Sequence, residues 1–572
     1  MGMHKFINPY NFIPLEKSPK KVKVKENEKK YTGYMKCFLT LKTPLIMIDY
    51  DPDKIRIERI KDKNGNEEEH KIYSKFFSIN NEPVILASEL RGMIRNKFEL
   101  LTNSCLSSCN QELELFGRHL GNIKQSGLLE ITEDSVKLYK SIKYVVSDTN
   151  NYDELLKHKT GDFVHFKTKY IKKKNGKSKL VFDCLCDKGN QSGYVKIGEE
   201  FNKKRAVHIF VKDEELTNIK NQDDLKEMYE KVCQHYKDNL EKDHRSLTNE
   251  TLKPVWYENV NGSIYLSLGQ NGQIVNKNTL DYFIPKNYQP CNDINNLCET
   301  CEVFGTINED NQNIAVLSKV RFTDGIGFNY TFDDLIVLDE LAEPNYKNPY
   351  FYMQLKENGN LVKSETKWVW NADYKSNNTK SIMLNEGDLL IRGRKQYWHH
   401  PPIKKDNIEK TKRNKTVKPM KKGKFKFKVY FNDLTESQLE HLYMTLCLDN
   451  DSNYCHKLGL GKPLGYGSVK ITVEEIKQRC IEYNNGKIVY SFKPYNPKTS
   501  FDDMFNDLES LDAIKNMLDF DFIKESDIVD YPRNQENGKI YEWFESNKKS
   551  KEKKVLPFVD EEYDHLILEG YK

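Results

Sequence analysis

The stretch FKFKVYFNDL, residues 425–434, alternates apolar and polar side chains almost without a break. A period of two puts its Phe and Val side chains on one face and its lysines on the other, so it fits a strand with one side against a core. LTESQLEHLYMTLCL (434–448) then switches to helical spacing, with Thr435 placed to cap the first turn. HKLGLGKPLGYGSVKI (456–471) follows, a glycine-rich turn that runs into a second alternating segment. A strand, a helix, a tight loop and a strand in that order call for helices laid on one face of an antiparallel sheet.

The same grammar occurs upstream. YTGYMKCFLTLKTPLIMIDY (31–50) alternates and reads as a strand, and PVILASELRGMIRNKFELL starts extended at Pro83. Ser88 can cap a helix there, with Leu90, Ile94 and Leu101 on one side and Arg91 and Arg95 on another. CEVFGTINEDNQNIAVLSKVRFTDG (301–325) echoes LELFGRHLGNIKQSGLLEITEDS: an apolar Phe-Gly turn, a polar stretch, then an extended segment ending near Asp324 or Asp148. Read as an internal repeat, this divides the chain into an arm (1–30), a first unit with an insertion (31–250), a second unit (251–480) and an extension (481–572). Residues 215–250 read as an exposed charged helix, and the extension as partly helical. The expected fold class is α+β, with two ferredoxin-like units built on antiparallel sheets.

At 572 residues the chain exceeds one hydrophobic core, and 33 Tyr and 28 Phe place it among folded proteins. The net charge of +5 says little, but its distribution is uneven. Ten Lys or Arg and no acid fall between Lys410 and Lys428, interleaved at the end with Phe425 and Phe427, while Asp and Glu dominate 502–530. That suits a polyanion-binding surface as well as a solvated loop. With no run of 18 apolar residues, no membrane partner is expected, and a cytoplasmic location follows; the 12 cysteines then read as thiols or metal ligands.

The glycine loop is not a nucleotide cradle. Pro463 follows Lys462 where a P-loop needs a hydroxyl, the third glycine is one residue late for a dinucleotide loop, and a helix rather than a strand precedes it. Gly459, Gly461, Gly465 and Gly467 leave two readings, a turn requiring positive φ or a backbone that approaches a phosphodiester with help from Lys457 and Lys462.

Several motifs, in order, resemble the RAMP superfamily, the RNA-binding proteins of CRISPR-Cas systems. They are ILASELRGMIR (85–95), the Phe-Gly turns ELFG (114–117) and EVFG (302–305), SKVRFTDG (318–325) and the glycine loop. NPYNFIPL near the start and YWHH (397–400) are similar to a large two-unit branch beside type III CRISPR loci, and the resemblance covers residues 5–475 in patches. It implies RRM-like domains that bind guide RNA, or its duplex with target RNA, alongside other subunits of an antiviral effector. Ser88, Arg91, Gly92 and Arg95 at the helix start would contact this RNA. So would Lys457, Lys462 and the four loop glycines, with Arg394 and Lys395 of LLIRGRKQYW beside them.

The resemblance also implies candidate chemistry. Cys291, Cys298 and Cys301 form C-x6-C-x2-C before the second Phe-Gly turn, where some RAMP proteins carry a small zinc-binding insertion. Zinc there would take His399 or His400 as fourth ligand, against free thiols; Cys105 and Cys109 hold the analogous place before the first turn. In type III backbone subunits an acidic residue after the first strand cuts target RNA with metal help. Asp49, Asp51 and Asp53 occupy such a loop, against simple solvated acids, and Mg would be the ion. The alternatives to an RNA-binding subunit are thus a metal-dependent endoribonuclease, which cuts target or processes guide precursor, and a protein scaffold.

Overall fold

In the computed structural model, described residues are 5–22, 28–62, 65–118, 123–146, 149–172, 178–197, 207–239, 251–269, 273–307, 315–341, 349–357, 360–361, 369–371, 374–376, 381–385, 387–403, 408–449, 452–534, 540–550, 554–559 and 562–571. Asp148 lies outside them.

The central sheet is assembled from distant parts of the chain. Its elements are β1 (Tyr31–Leu41), β2 (Glu82–Ile85), α1 (Ala87–Leu101), α2 (Glu299–Phe304), β3 (Val320–Phe322), β4 (Gly325–Phe332), β5 (Met420–Leu434), α3 (Glu436–Cys447), β6 (His456–Lys457), β7 (Ser468–Asn484) and β8 (Lys487–Pro494). The spatial order is β6-β7-β1-β5-β4-β2, with β3 also on β5 and β8 on β7. Taken alone, β7-β1-β5-β4 are antiparallel throughout, and with α1 and α3 they make one βαββαβ, ferredoxin-like arrangement.

Side-chain alternation explains this assembly. Phe425, Phe427, Val429 and Phe431 of β5 point the same way as Met35, Cys37 and Leu39 of β1. They are buried against Leu90, Ile94 and Phe98 of α1 and Leu439, Leu442 and Leu446 of α3. Each large apolar side chain removed from water contributes roughly 1.5–3 kcal/mol, so register is tightly specified. Thr435 caps α3 as expected: its Oγ1 accepts from Gln438 N at 3.1 Å, and Gln438 Oε1 accepts from Thr435 N at 3.1 Å. Ser88 does not cap α1. The helix begins two residues earlier, at Ala87 after the N-cap Leu86, and Asp324 Oδ1 accepts from Ala87 N at 2.7 Å across the fold. Asp324→Ala should therefore cost about 1 kcal/mol of stability, measurable by urea unfolding.

A second sheet runs 178–185, 163–172, 191–197, 207–215, 136–146, 125–131, 252–260, 263–267 in spatial order, all antiparallel. The helix Leu225–Asn239 is not a freely solvated rod, since Leu225, Met228, Tyr229 and Val232 pack onto this sheet. The sheet holds strands from both sides of residue 250, where a unit boundary was expected. The central sheet, for its part, needs 31–101 and 320–494 together. One ferredoxin-like core with a large inserted sheet thus stands where two tandem copies were expected. The repeat is also not mirrored locally: Glu114–Arg118 is a strand, whereas Phe304-Gly305 ends α2 with Gly305 at φ +78°.

The arm and the extension close around the core. Lys5–Ile7 pairs with Ile567–Glu569, and Tyr10–Ile13 with Arg394–Tyr397. Phe501, Phe505, Ile514 and Met517 pack on Met444 and Leu448 at the end of α3. Among the described residues no helix is long and apolar enough to cross a membrane.

Candidate nucleic-acid interface

The side of the central sheet away from α1 and α3 is set by the other phase of the same alternation. Residues paired directly across a ladder share a face: Tyr34 with Tyr430, Lys36 with Lys428, Phe38 with Lys426, Thr40 with Lys424, Phe328 with Lys424, and Arg321 with Tyr430. Aromatics and cations are therefore interleaved over four strands. Tyr34 lies 6.2 Å from Tyr430 and 5.6 Å from Phe492 of β8, and Phe38 lies 5.9 Å from Phe328. Lys428 Nζ sits 5.2 Å over the Tyr34 ring and the Arg321 guanidinium 5.5 Å over Tyr430. Lys424 and Lys426 are exposed. The acid opposite Lys36 is Glu475, which that lysine already pairs. An open surface of half-exposed rings between lysines offers base stacking and phosphate contact, and reads no base edge.

The basic run 410–428 contributes to this surface in a way the sequence reading did not assign. Phe425 and Phe427 are buried core side chains, and the rings beside the lysines come from other strands. Tyr34 and Phe38 gave a signal, since they are aromatics in the outward phase of β1. Elsewhere the run is internally neutralised: Lys410 pairs with Glu58 at 2.8 Å and Lys412 with Glu68 at 2.9 Å.

The expected loop and helix contacts are more enclosed. Gly459, Gly461, Gly465 and Gly467 all have positive φ. The amides of Leu458, Leu460, Leu464, Gly465, Tyr466 and Gly467 donate to protein carbonyls, including Ile46 O and Pro44 O. The turn reading of the glycines is therefore the one their geometry supports, and a nest of free amides is not formed by these six. Gly467 has φ +71° and an added Cβ would lie 1.8 Å from Leu458 O. Gly467→Ala should destabilise the chain by more than about 3 kcal/mol in denaturant titration. Arg91 donates to Phe304 O and Arg95 to Gly305 O at 3.5 Å, so both brace the turn after α2, and Arg95 also donates to Ser107 Oγ at 2.9 Å. Burial, then Arg95 beside it, lowers the Arg91 pKa. Gly92 lies on the open side of α1. Arg394 is a buried partner of Glu99 and Ser104 O, and Lys395 is held 3.9 Å over Tyr10, its pKa lowered to about 8 by burial.

Residues 38–274 match the RAMP superfamily.

That RAMP match begins within β1 and ends beyond the inserted sheet. No curated protein matches the chain. Among the solved structures that are similar at low level are the following two. One is Csc2 of Thermofilum pendens, at 10% identity and TM-score 0.21, covering 81% of this chain and 72% of that one. The other is a CRISPR RNA-guided surveillance complex in a pre-nicking state, at 8% identity and TM-score 0.21, covering 79% of each.

Within the RAMP-matched segment, Asp49 Oδ2 bonds Lys54 Nζ at 2.9 Å and Asp51 Oδ2 lies 3.2 Å from the same amine. Asp49 Oδ1 accepts from Asp51 N, and Asp51 Oδ1 accepts from Asp53 N, which closes the turn. Lys54 thus occupies the position a cation would need, and its ion pairing depresses the Asp51 pKa.

Cys291, Cys298 and Cys301 do converge, and the fourth group is Cys105, not His399 or His400. All four sulfurs lie within 4.8 Å of one another, with Cys105 Sγ at 3.5 Å from Cys298, 3.6 Å from Cys301 and 3.8 Å from Cys291. Four thiolates around one zinc, each about 2.3 Å away, would sit about 3.8 Å apart, so the spacing fits a tetrahedral metal. Its contacts with Cys105, Cys298 and Cys301 hold the Cys291 thiol well below its usual range, and Lys21 Nζ lies 3.3 Å from its sulfur. Cys109 stands apart from the group. His399 instead bonds Ser468 Oγ at 3.0 Å.

Proposed function

We propose that the chain is an RNA-binding subunit of a type III CRISPR effector ribonucleoprotein in the cytoplasm. It would hold guide RNA, or the guide–target duplex, beside other effector subunits. The observation that carries this reading is the outer face of the central sheet, where Tyr34, Phe38, Phe328, Tyr430 and Phe492 alternate with Lys424, Lys426, Lys428 and Arg321. The RAMP match supports the family context. Lys457 is buried and its amine bonds Tyr466 O, so it is left out of this interface. Asp49 and Asp51, tied to Lys54, favour binding over metal-assisted cleavage. Cys105, Cys291, Cys298 and Cys301 would hold a structural zinc that joins the end of α1 to the start of α2.

Ultraviolet crosslinking of the chain to single-stranded RNA, read by mass spectrometry, tests the interface. Crosslinks should concentrate on Tyr34, Tyr430 and Phe492. Crosslinks confined to other surfaces would reject the sheet, and RNA cleavage that disappears on Asp49→Ala, Asp51→Ala and Asp53→Ala would favour the enzyme.

A further inference from the structure

Behind the glycine loop lies a cluster that the sheet-face reading does not use. Lys97 comes from α1, His399 and His400 follow the strand Arg394–Tyr397, His456 and Lys457 form β6, and Lys462 lies in the loop; Lys97, Lys457, His400 and His456 all act electrostatically on His399, and Lys462 on Lys97 and Lys457. Lys97, Lys457 and the three histidines are all buried, with 1–8% of each exposed, while Lys462 is only partly covered. Lys97 Nζ donates to Gln396 Oε1 at 2.5 Å and Lys457 Nζ to Tyr466 O at 3.3 Å. Both acceptors are neutral, and among the described residues no carboxylate pairs with any of the three lysines.

The histidines leave ring nitrogens unsatisfied. His456 Nε2 is taken by Leu446 O at 3.0 Å, and His399 Nδ1 by Ser468 Oγ at 3.0 Å. His456 Nδ1 and His399 Nε2 are buried with no hydrogen-bond partner. Six basic groups gathered in low dielectric with no carboxylate bonded to the lysines are costly to charge, and burial together with mutual repulsion pushes them toward neutrality. Lys97 and Lys457 fall to about 7, His400 and His456 to about 3. The opposing groups are few: Glu89 acts on Lys462, Asp530 on His400 and Cys455 on Lys457. Buried donors of one sign with open valences match an oxyanion.

We propose that Lys97, Lys457, Lys462, His399 and His456 form a buried site for one phosphate group, with Lys462 the least covered of them. The site goes beyond the RNA reading, because it would accept phosphate in the absence of RNA. An arriving anion restores the charge of the amines, so binding takes up protons, and affinity falls as pH rises through 7 to 9. Sulfate, which keeps its charge over that range, reads this without titration of the ligand itself.

Calorimetry of the full chain with sulfate and with inorganic phosphate at pH 7.5, in two buffers of different ionisation enthalpy, is the test. We expect saturable binding, uptake of at least half a proton per sulfate, and at least a tenfold loss in Lys97→Met and in Lys457→Met. Both variants remove a buried amine and should fold; Lys97→Gln is the backup. No binding by the wild-type chain, no proton uptake, or unchanged affinity in the folded variants would overturn the site. The source of the phosphate is read by a short RNA with a 5′-phosphate against the same RNA with a 5′-hydroxyl. A tenfold preference that is lost in Lys97→Met assigns a nucleic-acid end, and no preference with retained inorganic phosphate binding assigns a free ion. Tyr34→Ala with Tyr430→Ala leaves sulfate binding unchanged, so failure of the sheet interface is distinguishable from failure of this site.

Discussion

A chain carrying Lys424→Ala, Lys426→Ala and Lys428→Ala is expected to bind single-stranded RNA on the order of 100-fold more weakly at moderate salt, with its fold intact. Their backbone carries Phe425 and Phe427 into the core, whereas Lys424 and Lys426 themselves are exposed and Lys428 is half-buried. Each phosphate contact on a single strand contributes about 0.7 to the slope of log affinity against log salt, so the slope should flatten by about 2. Tyr34→Ala with Tyr430→Ala should act differently. Each stacked base lost costs roughly 1–3 kcal/mol, with little change in salt slope. Fluorescence anisotropy with a labelled oligonucleotide across a salt series separates the two. A triple lysine variant with wild-type affinity and slope would remove the sheet face from the interface.

Metal analysis of the purified chain is expected to return one zinc, and Cys105→Ser to lose it. Structural zinc in small four-ligand sites contributes roughly 10–16 kcal/mol of apparent binding energy, so well over about 3 kcal/mol of stability should go with it. The loss should be local to the joint between α1 and α2, where the residues after Leu101 meet Cys298 and Cys301, and visible as faster amide exchange there. Cys109→Ser should keep both the metal and the stability. The reverse pattern, with Cys109 essential and Cys105 dispensable, would overturn the assignment.

The cysteine cluster marks where reading the sequence stops. C-x6-C-x2-C identified three of its members, because that spacing is fixed by local chain geometry. The fourth is far away in sequence, and nothing in C-x3-C at 105–109 distinguishes the cysteine that α1 delivers to α2 from the one left outside. The same holds for α1 itself. Leu90, Ile94 and Leu101 announced its buried face, but its cap came from Asp324 in another strand, since a carboxylate can satisfy an amide wherever the fold brings it.

Alternation and helical period, being local, determined by themselves that strands begin near 31, 425 and 468, that a helix follows Thr435 with that residue as its cap, and that the class is antiparallel α+β. Tertiary structure decided which strands became neighbours, and so merged two expected repeats into one core with an inserted sheet. It also decided that Phe425 and Phe427 turn inward while Tyr34, Phe38 and Phe328 supply the rings beside the lysines. The period of two assigns a strand two faces, but only packing against α1 and α3 says which face is covered and which is left for a ligand.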